Sequence, residues 1–298
     1  MLSILIIADI EGSTGCSCKK DSQLFNYGWA KACIELTRDL NAVIEALFNS
    51  GEVARIKVKD FHRTGFNIIP GLLDSRAELS QGYKTGPVQG IGECSGFDLL
   101  YMIGHHAASG KNGFLAHTLT SRFSEVLVNG QPLPEAELFA ASVAKNGLKS
   151  AFFTGDSQAC VQAKSRMPWL KTFTVEKPLK RDCKRLRKEL AISAVKALYN
   201  ENSKVFYPEE KCRVEIRFKS GEKEARKTAT VWNLEHKEDK IFLDCENLNE
   251  TYDRLIAIAY LTPFLAKHLE MSLRMFNLWG RIAHLWCRIK AIEISKNS

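Results

Sequence analysis

Six side chains spread over the first half of the chain could do metal chemistry together: Asp9, Glu11, His62, His106, His117 and Glu135. Imidazole nitrogens and carboxylate oxygens form a mixed N/O set that suits zinc. Two imidazoles and three carboxylates are enough for two ions if one carboxylate bridges, and paired metals activate water and polarise carbonyls in hydrolases. Each residue alone has a plainer reading. Asp9 or Glu11 would cap a turn, and a lone histidine is ordinarily structural. Several such residues at equivalent strand ends are hard to explain as packing.

The strands and helices that carry these side chains can be read from the spacing of apolar residues. Leu2 to Ala8 is a nearly unbroken apolar run, the pattern of a buried parallel strand. Successive strand residues face opposite ways, so Asp9 and Glu11 point to one side, towards the crevice where open α/β sheets gather ligands. Val53 to Asp60 alternates apolar and polar residues and ends at Phe61-His62, and Asp98 to Gly104 is a second buried run that ends at His105-His106. Ser121 to Val128 reads as a strand closed by Asn129-Gly130, and Glu135 opens a helix to about Lys145. Ser150 to Thr154 is another apolar strand, ending at Gly155-Asp156. Asn26 to Asn49 is a long helix with Ala32, Leu36, Leu40, Val43, Ile44 and Leu47 on one face, and residues 72–93 read as loop with one helical turn. The alternation predicts a doubly wound, mostly parallel α/β domain over 1–180.

A smaller α+β subdomain is expected over 181–267. It would hold a helix from Leu186 to Tyr199, strands at Cys212–Lys219, Thr228–Leu234 and Lys240–Cys245 turned at Ser220-Gly221 and His236-Lys237, and a helix from Tyr252 to Lys267. Residues 268–298 form a third segment, one amphipathic helix. Met271, Met275, Leu278, Ile282, Leu285, Ile289 and Ile292 step by four and three as a heptad seam, flanked by Trp279 and Trp286 and by Arg274, Arg281 and Arg288. Such a helix packs on its own core, pairs between subunits or lies on an anionic membrane, and the regular seam favours subunit packing.

Composition narrows the class. With 298 residues and 45% hydrophobic content the chain can build a real core. No apolar stretch is long enough to span a bilayer and Met1-Leu2-Ser3 lacks a basic leader, so a soluble, cytoplasmic protein without membrane contact is expected. Nine scattered cysteines argue for free thiols in a reducing compartment, and Cys16-Ser17-Cys18 lacks the second pair a soft-metal site needs. The net charge of +8 sits largely in the run Lys177 to Lys188 and near the C-terminus. No aromatic-interleaved basic patch accompanies it, so no nucleic-acid partner is expected.

The segments A-D-I-E-G at 8–12, K-D-F-H at 59–62, G-H-H-A at 104–107, A-H-T at 116–118, N-G-Q-P-L-P-E at 129–135 and T-G-D at 154–156 follow a familiar order. In that order and spacing, over residues 1–266, the sequence resembles the zinc-dependent D-aminopeptidases of the DppA type. The resemblance implies that Asp9 bridges two zinc ions per subunit, with Glu11 and His106 completing one site and His62 and Glu135 the other. It implies His106 rather than His105 as the ligand, consistent with strand alternation, and a catalytic role for His117. Asp60 either orients His62 or is a surface residue at the strand end.

The activity implied is metal-dependent hydrolysis of short peptides with an N-terminal D-residue, by a metal-activated water, in a decameric ring whose sites face an inner chamber. The alternatives are a dinuclear amidohydrolase acting on L-peptides or cell-wall fragments, and a catalytically silent oligomeric binding protein. Lys59 and Phe139 depart from the family pattern and are expected to reshape the substrate pocket.

Overall fold

The structure, a computed structural model, describes residues 1–179, 182–208 and 210–296. Residues 180 and 181 of the basic run, and 297 and 298 of the helix expected over 268–298, lie outside them. Strand β1 (Leu2–Ala8) pairs in parallel with β2 (Val53–Asp60), which carries the short edge strand β3 (Glu78–Ser80); on its other side lies β4 (Leu99–His105). After β5 (Phe123–Val128) and β6 (Gln131–Pro132) leave the sheet, β7 (Lys149–Gly155) returns parallel to β4, and β8 (Lys171–Thr174) extends it. The two-residue β9 (Lys204–Val205) runs antiparallel to the start of β7.

Both faces of this sheet are covered, which is why its strands read as apolar runs. Ile4, Ile6 and Ala8 face α1 (Tyr27–Asn49), whereas Leu5 and Ile7 face the layer holding α2 (Glu135–Ala144) and α3 (Ser157–Arg166). Asn26 caps α1, its side chain accepting from Trp29 N at 2.9 Å. A further helix, α4 (Cys183–Leu198), packs beside α1 with Leu190, Ala194 and Ala197 in the same core.

The second sheet is antiparallel, in the order β11-β12-β10-β5-β6, with β10 (Cys212–Phe218), β11 (Glu235–Lys237) and β12 (Lys240–Cys245). Its helices are α5 (Glu222–Trp232), α6 (Leu248–Tyr260) and the short α7 (Pro263–Lys267), and α8 (Leu269–Lys296) closes the chain. The fold is therefore the mixed α/β architecture read from the sequence. Among the described residues no helix is long and apolar enough to cross a membrane.

Several elements differ from expectation. A boundary at residue 180 does not separate the two sheets, because β5 pairs with β10 (Val128 opposite Val214) while α4 packs on the first sheet's side. Most of the expected strand at Thr228–Leu234 is the end of helix α5: Ala225, Thr228, Ala229 and Trp232 recur at helical spacing on the core side, and the β-branched Thr228, Thr230 and Val231 mask that period. The helix expected from Tyr252 to Lys267 breaks after Tyr260, where Thr262 caps a new helix with Pro263 at its first position. The loop at 72–93 contains β3.

Candidate metal centre

Parallel order puts the carboxyl ends of β2, β1 and β4 side by side, and the chain leaves each of them through a metal-capable residue. The exit from β1 is bound closely to β4. Gly12 N donates to Gly104 O at 2.7 Å, a Cβ on Gly12 would meet His105 O at 1.9 Å, and one on Gly104 would meet Asp9 O at 2.1 Å. Glycine is required at both positions for this approach, which sets Asp9 and Glu11 against His106. Glu135, at the start of α2, accepts from Leu119 N at 2.7 Å and comes in from the other side.

Five of the six side chains converge as a buried cluster. His62 Nδ1 lies 2.9 Å from Asp9 Oδ1, and His106 Nε2 lies 3.3 Å from Asp9 Oδ2, 3.5 Å from Glu11 Oε2 and 3.5 Å from Glu135 Oε1. His117, with 18% of its side chain exposed, sits at the edge with Nε2 3.5 Å from Glu11 Oε2. Asp9, Glu11 and His62 offer one group of ligand atoms within 4.8 Å of one another, and Glu11, His106 and His117 another.

His105 borders this cluster on its apolar side. Its ring packs between Phe139 and Phe153, and its Nε2 donates to Ile7 O at 3.1 Å. Its buried Nδ1 has no hydrogen-bond partner, and with Asp9 and Glu135 it forms a further three-atom set behind Asp9.

The cluster fits a cation. A carbonyl can only accept, so His62 Nε2–H donates to Ser22 O at 2.9 Å and His106 Nδ1–H to Ala107 O at 3.1 Å. Each then turns its other nitrogen to carboxylates, an arrangement that is repulsive unless a proton or a metal lies between. Glu11 Oε2, buried, has no hydrogen-bond partner. The charge balance agrees: burial opposes ionisation of Asp9, but hydrogen bonds from His106 and His62 outweigh it and hold the carboxyl well below the usual range. Burial likewise disfavours the His106 and His62 cations, yet Glu135, Asp9 and Glu11 raise the first well above the ordinary imidazole value and Asp9 raises the second. A set that binds protons this strongly binds a divalent cation in competition with them.

Support comes from further out. Asp60 does not reach the His62 ring; its carboxylate accepts from Ile68 N at 2.8 Å and Asn67 Nδ2 at 2.9 Å, and Asn67 Nδ2 also donates to His62 O at 2.8 Å. It therefore shapes the loop that carries His62, and Ser22 fixes the ring. Thr14, just past Glu11, is tied to Asp39 at 2.8 Å, and Asp39 to Arg187 Nε at 2.8 Å.

The cluster floors a cleft of about 770 Å³. Phe61, Phe123 and Tyr260 supply apolar walls, and exposed Lys19, Arg63, Lys111 and Lys219 stand around it. Phe276 and Trp279 of α8 also line it and were not foreseen as site residues. Their contribution depends on how α8 folds back, which Asn277 fixes by bonding Tyr83 N at 2.9 Å and Tyr83 O at 3.0 Å. Lys59 and Phe139 do not line the cleft, contrary to expectation. Both are fully buried behind it, Lys59 donating to Gly82 O and Phe139 packed on Phe61 at 4.7 Å between ring centres.

Comparison with known proteins agrees in fold and family. A family model described as D-aminopeptidase matches residues 2–256. Among solved structures, the zinc-dependent D-aminopeptidase DppA from Bacillus subtilis, described as a self-compartmentalizing protease, is similar with a TM-score of 0.78 at 20% identity, over 87% of this chain and 97% of that one. No curated protein matches the chain.

Proposed function

The chain belongs to the D-aminopeptidase family, and we propose that it removes an N-terminal D-residue from short peptides at two zinc ions held by Asp9, Glu11, His62, His106 and Glu135. The observation that carries this reading is the convergence of partnerless Glu11 Oε2 with His106 Nε2 and two further carboxylates in a buried cluster. In this reading Asp9 would be shared between the two ions, since its two oxygens face different imidazoles, His62 through Oδ1 and His106 through Oδ2. Zinc bound there supplies Lewis acidity, making water nucleophilic at neutral pH and polarising the scissile carbonyl.

The chain's own residues supply the rest. His117, less buried than the other two imidazoles of the cluster and fixed through Nδ1–H on Leu115 O at 2.8 Å, takes up or returns a proton at Nε2 as the amide is cleaved. The exposed cations Lys19, Arg63, Lys111 and Lys219 suit the free carboxylate of a short peptide. A homo-oligomer, a decameric ring with its sites facing an inner chamber, extends to this chain the self-compartmentalizing description of the Bacillus subtilis protein. Nine free cysteines suit a reducing cytoplasm.

Elemental analysis of the purified protein tests the metal, and a panel of D- and L-dipeptides tests the substrate. Two zinc ions per chain are expected, with more than one lost in Asp9→Ala and about one in Glu11→Ala, and faster cleavage of dipeptides that begin with a D-residue. A chain with no affinity for metal overturns the hydrolase, and a loaded chain that cleaves only L-dipeptides moves it to the alternative amidohydrolase.

A further inference from the structure

Helix α8 has two faces of opposite character. Against its own chain it sets small residues, Gly280, Ala283, Cys287 and Ala291, all buried. The approach there is close: a Cβ on Gly280 would lie 2.5 Å from the Phe66 ring, and His284 Nδ1–H donates to Phe66 O at 3.0 Å. Trp286 stacks on Trp29 of α1, with ring centres 6.1 Å apart and planes 13° from parallel. The helix is thus held by small residues, Trp286 and the partly buried Ile294, without using the aliphatic row on its other face. Met271, Met275, Leu278, Ile282, Leu285, Ile289 and Ile292 form the heptad seam, and it points outward with each residue 50% to 68% exposed. The seam is not the face that packs on the chain's own core. An exposed apolar row of this length marks an interaction surface.

The period and the flanking charges say what covers it. Steps of four and three average 3.5 residues per turn, the spacing that stays in line along a second, supercoiled helix; a straight helix lying on a flat surface would drift by about 20° per heptad. Arg274, Arg281 and Arg288 each precede a seam residue on one flank, and Trp279, Trp286 and Glu293 each follow one on the other. In a parallel, in-register pair, each flanking residue before the seam meets the partner's residue five positions further on. The meetings are Arg274 with Trp279, Arg281 with Trp286 and Arg288 with Glu293: two guanidinium–indole contacts and one ion pair, all attractive. An antiparallel pair would set the arginine flank against itself. We propose that two copies of this chain associate through α8 as a parallel, in-register coiled coil. The proposal is independent of the hydrolytic reading, and α8 lies beyond the residues the family model matches.

Oxidative cross-linking of Ile289→Cys in the full-length protein tests it. In a parallel pair residue 289 faces its own counterpart, so a 289–289 disulfide between copies is expected, mapped by mass spectrometry of the peptides. Adding Leu278→Glu and Ile282→Glu, both exposed and thus harmless to the single chain's fold, should abolish the cross-link while the far-ultraviolet circular dichroism stays unchanged. No cross-link, or one that survives the two glutamates, overturns the pairing. Wild-type protein that sediments as a monomer and binds anionic phospholipid vesicles through this helix overturns it in favour of a membrane surface.

Discussion

The imidazole rings of His106 and His117 lie parallel, with centres 4.0 Å apart and planes at 10°, and both turn Nε2 to the same Glu11 oxygen at 3.5 Å. What differs is their other surroundings. His106 also meets Asp9 and Glu135 and is buried, whereas His117 keeps 18% of its side chain exposed to the cleft. In the proposed reaction the first ring would ligate and the second would handle protons.

His117→Ala should therefore keep its zinc while kcat falls by roughly two to four powers of ten, the scale of general acid–base catalysis. His106→Ala should lose metal. Elemental analysis alongside steady-state kinetics separates the two, and loss of zinc from His117→Ala would make that residue a ligand instead.

Lys59 gives a pH dependence that does not involve the cluster. Its ammonium is fully buried, donates to Gly82 O and lies 5.4 Å from the centre of the Tyr83 ring. Burial pushes it down to about 7, against about 10.4 in an unfolded chain. As the pH falls between these values, the unfolded chain takes up a proton that the folded chain refuses, so stability is lost through that window and is flat below it. Lys59→Met should flatten the dependence. Its Tm should exceed the parent's by a few degrees at pH 7, and the gain should vanish near pH 10, where the lost hydrogen bond to Gly82 remains as a cost of about 1 kcal/mol. Thermal unfolding at both pH values checks this; parallel shifts at the two would contradict it.

How much of this was legible depended on whether a signal was local. Strand β2 was read to the residue because Arg55, Ile56, Lys57, Val58 and Lys59 alternate, with only Ala54 out of step, and parallel order at the ends of β1, β2 and β4 was enough to bring Asp9, His62 and His106 together. Helix α5 was misread because the β-branched Thr228, Thr230 and Val231 are a local signal pointing the wrong way, and packing of Ala225 and Ala229 on the second sheet overrode it. The interleaving of the sheets was hidden because β5 finds β10 across more than eighty residues of chain. Phe276 had no local mark at all, since its place in the cleft follows from the Asn277–Tyr83 bonds, 194 positions apart in sequence.

Phe276 makes that long-range placement testable. It lines the cleft together with Tyr260 and packs against Tyr83 with ring centres 5.8 Å apart, while standing off the exposed heptad seam. Phe276→Ala should therefore leave both the cluster and any pairing through α8 intact. A wall that touches the substrate's side chain in ground state and transition state alike contributes uniform binding, so its loss raises KM and leaves kcat near the parent value. For dipeptides with a large apolar side chain, kcat/KM should fall about tenfold, corresponding to the loss of about 1.4 kcal/mol of apolar contact. Dipeptides with alanine in both positions should barely respond. Equal losses for large and small substrates would mean that α8 supports the cleft without touching its contents, and a fall in zinc content would mean that the helix braces the cluster itself.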